Sequence, residues 1–136
     1  YPDFENEVMI LEREEKSNPL EQVEPQLEMQ DIAQLQQQVR SVGVVRHVKE
    51  YIVTLNQSTR THSEVVVGIS PRGGVALQRC AQALALIRQR DYVTPDDVKT
   101  AFRAVGTHRV LTRDRRSESA AEVIADILSR TRVPVE

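Results

Sequence analysis

The 136-residue sequence predicts an all-α fold, a small helical bundle of about six helices with one short extended segment possible. Three observations carry this. There is no Trp, and three Tyr and two Phe are the only aromatics, while Ala, Leu, Gln and Arg abound, a composition that favours helix over sheet. Apolar residues recur at three- and four-residue spacing in segment after segment. The stretch from Gly68 to Lys99 holds the longest of these patterns and the densest set of helix-boundary signals.

Taken in order, Asp3 can cap a first helix with Phe4, Val8 and Leu11 on one face and a charged end at Glu12 to Lys16. Ser17, Asn18 and Pro19 stop it. Residues 18–30 contain two prolines and no clear period and read as a surface loop. Gln30 or Asp31 opens a second helix with Ile32, Leu35 and Val39 as its apolar stripe and Gln34, Gln36, Gln37 and Gln38 mostly on its wet side. Ser41-Val42-Gly43 breaks it. A third helix is expected from about Val44, carrying Val45, Val48, Ile52 and Leu55 toward a core; the run is too short to be a coiled-coil seam. Val65-Val66-Val67 is either a short strand or an extended, buried lead-in to the next helix.

The central helix then begins. Ser70 can accept from orphan amides of the first turn, and Pro71 follows where a missing N–H costs nothing. Leu77, Cys80, Ala81, Leu84 and Ile87 recur on one face, with Gln78, Arg79 and Gln82 as a narrow wet strip. On this pattern Cys80 is expected to be a small buried hydrophobe, and as the sole cysteine it can form no internal disulfide. Thr94, Pro95 and Asp97 start the next helix with a capping-box-like pair. Val98, Ala101, Phe102 and Val105 are its inner face, and Gly106 is placed to end it. Ser119 and Glu122 are expected to box the start of a last helix carrying Ala120, Val123, Ile124, Ile127 and Leu128, before Pro134.

Arg72 stands out chemically. A helix's first turn carries partial positive charge, so a cation there is mildly unfavourable unless an anion joins it. Gly73 and Gly74 read as opening the turn to close approach by a ligand. Two readings stay open on spacing alone. Arg72 is a solvated arginine at a helix end, or it is one side of a phosphate site completed by the free amides. Arg60 is expected on the same side of the domain.

The run Gly68-Ile69-Ser70-Pro71-Arg72-Gly73-Gly74, followed by Ala81-Gln82-Ala83-Leu84-Ala85 and Arg90-Asp91-Tyr92-Val93-Thr94-Pro95-Asp96-Asp97-Val98, resembles the C-terminal lid domain of MoxR-type AAA+ ATPases. Tyr1-Pro2 with its acidic helix, Thr107-His108-Arg109-Val110 and the closing apolar pairs fit the same family. The resemblance implies an acidic N-terminal helix and connecting loop over residues 1–30 and a lid domain over 31–136. It implies that Arg72 is the sensor-2 arginine that reaches the nucleotide's terminal phosphates, with Ile69 and Pro71 as weaker candidates for contact with base or ribose. It also implies ATP and Mg as cofactors of the intact protein, an upstream AAA+ core, and neighbouring subunits in a ring, usually a hexamer. The implied work is remodelling or maturation of protein partners, including ones with von Willebrand-type domains.

Other signals bound this reading. No glycine precedes a lysine, so the phosphate-binding loop of a nucleotide core is missing, and no paired acids stand where magnesium would be held. The chain is therefore expected not to hydrolyse ATP alone. His47, His62 and His108 lack metal-ligand spacing, and no metal site is expected. The run Arg113-Asp114-Arg115-Arg116 has no aromatic platform or DNA-reading motif beside it, so no nucleic-acid role is assigned. Residues 1–31 carry ten acidic side chains against two basic, and the remainder ten against sixteen. The acidic head lies on the basic body, faces another subunit, or is simply solvated. With no secretory signal and no membrane-length apolar run, a cytoplasmic location is expected, and an opening Tyr1 points to a piece of a longer protein. The alternative function is a freestanding helical module that docks a protein through an apolar helix face or the acidic head.

Overall fold

The computed structural model describes residues 1–16, 23–114 and 117–133. The chain divides into two compact units, Tyr1–Ala33 and Gln34–Glu136. The stop signal at Ser17-Asn18-Pro19, the Arg115–Arg116 pair and Pro134 lie outside the described residues.

In the first unit, α1 spans Phe4–Lys16, with Glu5 and Glu7 in its first turn. Asp3 caps it as expected, its carboxylate accepting from the Asn6 amide at 2.9 Å. Two of the three residues of its predicted face are open to solvent, Phe4 at 77% exposed and Leu11 at 71%, while Val8 is half-buried. The next helix, α2, runs Met29–Ser41 and crosses from the first unit into the second. It starts slightly earlier than the pattern suggests because Asp31 accepts from the Glu28 amide at 2.8 Å. None of its residues is buried, so the Ile32, Leu35 and Val39 stripe is not the core face that its period predicts.

The second unit contains α3 at Arg46–Thr61, β1 at Val65–Val67, α4 at Pro71–Ile87, α5 at Pro95–Thr107, β2 at Leu111–Thr112 and α6 at Ser117–Arg130. With α1 and α2 these make six helices and one two-stranded ribbon among the described residues, in line with the predicted helical class. Helix α4 packs on α5 and α3, and α5 packs on α6. Leu55, Leu77, Ala81, Ala85, Val98 and Phe102, each at most 1% exposed, lie at the centre of the core. Burying each of the Leu, Val and Phe side chains contributes about 1.5–3 kcal/mol.

Several expectations change. Val45 caps the start of α3 and is 52% exposed rather than inward-facing. Of the two readings of Val65-Val66-Val67, the strand holds: it pairs antiparallel with β2, and Val66 and Val67 are exposed rather than buried. Cys80 is exposed, not buried. Gln82 takes the core position instead, at 3% exposed, because its side-chain amide donates to the Val42 carbonyl at 2.7 Å. Ile87 is 77% exposed. Gly106 lies inside α5 and is buried; a Cβ there would meet Ile124 Cδ1 at 2.6 Å, so its smallness serves packing rather than termination. Helix α6 begins at Ser117, which places Ser119 within the helix, where its hydroxyl donates to Asp114.

Two polar clamps hold the helices in register. The Gly43 amide donates to the Asp91 carbonyl at 2.7 Å, and Val93 donates back to Gly43 at 2.9 Å. This ties the linker before α3 to the α4–α5 connector. At the start of α5 the capping box of Thr94 and Asp97 forms as expected. Asp97 is fully buried and accepts from Arg88 at 2.6 Å and from Arg90 at 2.7 Å through each of its oxygens. Burial opposes its charge, but the hydrogen bonds from Arg90 and Thr94 outweigh that and hold the carboxyl well below the usual carboxylate range. The same bond to Asp97 raises the Arg90 guanidinium.

Candidate functional site at the start of the central helix

The first turn of α4 is built from its cap outward. Ser70 has extended backbone and accepts from the Gly73 amide at 3.3 Å, and Pro71 occupies the first helical position. Ile69, just before the cap, is held at both ends of its peptide. Its N–H donates to the Thr59 hydroxyl at 2.9 Å, and its carbonyl accepts from Arg60 Nε at 2.8 Å. Thr59 is fully buried and passes its own proton to the Asn56 carbonyl at 2.6 Å. Two residues of α3 thus set where α4 begins. Sequence reading placed Arg60 on this side of the domain but missed Thr59, whose hydroxyl is one among several on α3 and has no local signal.

The glycines make this closeness possible. A Cβ on Gly68 would lie 2.8 Å from the backbone N and Cα of Arg60, so only glycine lets the two segments touch. A Cβ on Gly73 would collide with Ile69 Cγ2, and one on Gly74 would meet Asn56 Nδ2 at 2.5 Å. Gly73 and Gly74 therefore open toward the protein's own side chains rather than toward a ligand, which corrects the reading made from their spacing.

The three candidate residues fall in different environments. Arg72 is exposed, and among the described residues no hydrogen bond or ion pair holds its guanidinium. Pro71 is exposed beside it. Ile69 is 1% exposed and its side chain belongs to the core, so what it presents at this turn is a fixed backbone. A groove of about 320 Å³ between α3 and α4, lined by Asn56, Arg60, Pro71, Gly74 and Val75 among others, adjoins the same turn. The buried Asn56 Oδ1 has no partner there. A larger hollow of about 450 Å³, between α6 and the ribbon, is lined by His62, Asp114, Glu122 and Asp126 and shares no residue with the α4 start. His62 Nε2 faces Asp126 at 3.2 Å across it.

The match that decides the family covers residues 57–129, which fit the model of the AAA lid domain. This chain belongs to the AAA lid domain family. The matched span runs from the end of α3 through α6 and so contains the whole α4 start. Along its full length the chain is 39% identical to the uncharacterized protein YeaC of Bacillus subtilis, covering 43% of that protein. It is 32% identical to the chaperone MoxR1 of Mycobacterium tuberculosis over 96% of the chain and 37% of that protein. Over 45% of its length it is 33% identical to protein MoxR of Methylorubrum extorquens, covering 18% of it. These relatives bear out the MoxR resemblance read from residues 68–98. A crystal structure of a candidate ATPase from Cytophaga hutchinsonii superposes on 99% of the chain with a TM-score of 0.81 at 24% identity, covering 44% of that protein, and shows that the fold is shared. The chain spans less than half the length of the curated relatives it matches.

Among the described residues no group of three or more His, Cys, Asp or Glu side chains could hold a metal ion, and no helix is long and apolar enough to cross a membrane.

Proposed function

We propose that this AAA lid domain closes over ATP bound to an upstream AAA+ core and that Arg72 contacts the terminal phosphates. One observation carries the proposal: an exposed arginine with no anionic partner among the described residues occupies the first turn of a 17-residue helix whose start is fixed by two side-chain hydrogen bonds. A cation there repels the positive end of the helix until an anion arrives, and a phosphate oxygen is the anion that backbone amides and a guanidinium hold together. Pro71 and the Ile69 backbone position the turn; the Ile69 side chain is buried beneath it against Gly73 and offers no exposed surface. On this reading Mg belongs to the upstream core.

When ATP is bound, its transferring phosphoryl group gathers negative charge on its outer oxygens. Arg72 stabilises that charge, and the clamped start of α4 transmits the contact to the rest of the lid as a rigid body. On this reading the whole protein is a cytoplasmic ring oligomer in which lid movement couples hydrolysis to remodelling of partner proteins. The chaperone designation of the mycobacterial relative supports that coupling. The test is ATP turnover by the full-length protein carrying Arg72→Ala, measured beside its melting curve. Turnover is expected to collapse while melting stays put; unchanged turnover removes Arg72 from the mechanism.

A further inference from the structure

Arg109 lies directly after α5, and its backbone N–H donates to the Gly106 carbonyl at 2.9 Å. Gly106 itself is seated on the residue before the α4 cap: a Cβ there would lie 3.6 Å from Ile69 Cδ1. The end of α5 is thereby held against the start of α4. From that position Arg109 extends over the first turn, where a Cβ on Gly73 would lie 3.6 Å from Arg109 Cδ. Gly73 is next to Arg72 in the chain, so two arginines reach one helical turn.

Neither guanidinium has a hydrogen-bond or ion-pair partner among the described residues, and both residues are exposed. Other arginines of the domain are differently placed. Arg60 is bound to the Ile69 carbonyl, and Arg88 and Arg90 are bound to Asp97. A multiply charged anion at this turn could draw on both charges.

We infer that Arg109 is a second phosphate-contacting residue of the lid, sharing with Arg72 the terminal phosphates of a nucleoside triphosphate. The inference rests on the lid reading above. It makes Arg109 a specificity-determining residue: paired cations match the added charge of a triphosphate better than a diphosphate.

The experiment uses the full-length protein and titrates a non-hydrolysable ATP analogue and ADP into wild type, Arg109→Met, Arg109→Lys and Arg72→Met, with a melting curve for each. Methionine retains an unbranched apolar stem over Gly73 and removes the charge. For Arg109→Met the analogue's Kd should rise about tenfold and ADP's less than about threefold, while Arg109→Lys keeps most of the affinity. Arg109→Gln replaces the methionine variant if that one melts early, with the same expected values. Unchanged affinities in the charge-removing variants overturn the inference. So does a loss of subunit assembly with nucleotide affinity intact, which would pair Arg109 with a carboxylate of a neighbouring chain. If Arg72→Met weakens the analogue and Arg109→Met does not, only Arg109 is removed; if neither does, the lid reading falls too.

Discussion

Asp97→Ala should be among the most damaging single substitutions in this chain. The Asp97 side chain is fully buried, while Arg88 and Arg90 are 45% and 24% exposed at their side chains. Removing one partner of a fully buried ion pair costs about 3–5 kcal/mol, but arginines that can turn to water recover part of that, leaving about 2 kcal/mol. The same carboxylate accepts from the Thr94 amide at 2.9 Å and from its hydroxyl at 2.8 Å, and losing the helix cap adds about 1 kcal/mol. The sum is about 3 kcal/mol, or roughly 10 °C in Tm for a domain of this size. The effect has a pH signature. The folded-state carboxyl lies below its unfolded value, so its contribution is complete above the unfolded pKa and is lost as pH falls through the folded one. The stability gap between wild type and Asp97→Ala should be constant from about pH 7 to 5 and narrow steadily toward pH 2. Urea unfolding of both proteins across that range measures it. A gap below about 1 kcal/mol at pH 7, or one that does not change in acid, would refute the reasoning.

Gly68→Ala should destabilise by about 1–3 kcal/mol, since the new Cβ meets Arg60 backbone that cannot swing aside, and chemical denaturation will show it. Thr59→Val keeps the shape but leaves the Ile69 amide buried and unpaired; a loss of about 1–3 kcal/mol is expected, with lower ATP turnover in the full-length protein because the α4 start loosens. Leu77→Ala should cost about 2–5 kcal/mol and Cys80→Ser less than about 0.5, two residues of one helix separated by burial alone. Calorimetry with the isolated chain should detect weak ATP binding at most; micromolar affinity would contradict the assignment of the remaining phosphate contacts to the core.

What was legible in the sequence was local chemistry. Asp3, Ser70 and Thr94 cap their helices because a short polar side chain and the amides it serves are three residues apart, a relation visible in one dimension. The Val98, Ala101, Phe102 and Val105 face was legible because α5 buries one clean stripe. On α4 the period located the helix and placed Leu77, Ala81 and Leu84 on its inner side, but not Cys80, Ile87 or Gln82. Gln82 is drawn inside by a carbonyl 40 residues away and Cys80 turns outward, and neither follows from hydropathy. Strand β2 is two residues long and exists through its pairing with β1. In the site, Arg72 was visible as a charge at the wrong end of a helix. The Thr59 and Arg60 clamps, the packing role of the glycines and the reach of Arg109 depend on segments brought together from α3, α4 and α5, which spacing along one element does not encode.

The central claim is that Arg72, on the first turn of α4, works on phosphate. Single-turnover hydrolysis by full-length Arg72→Ala, at saturating ATP, isolates the chemical step from binding. The account predicts a fall of about a hundredfold or more with the fold intact, the loss expected when a preorganised charge is withdrawn from a developing oxyanion. A rate within about twofold of wild type would contradict it.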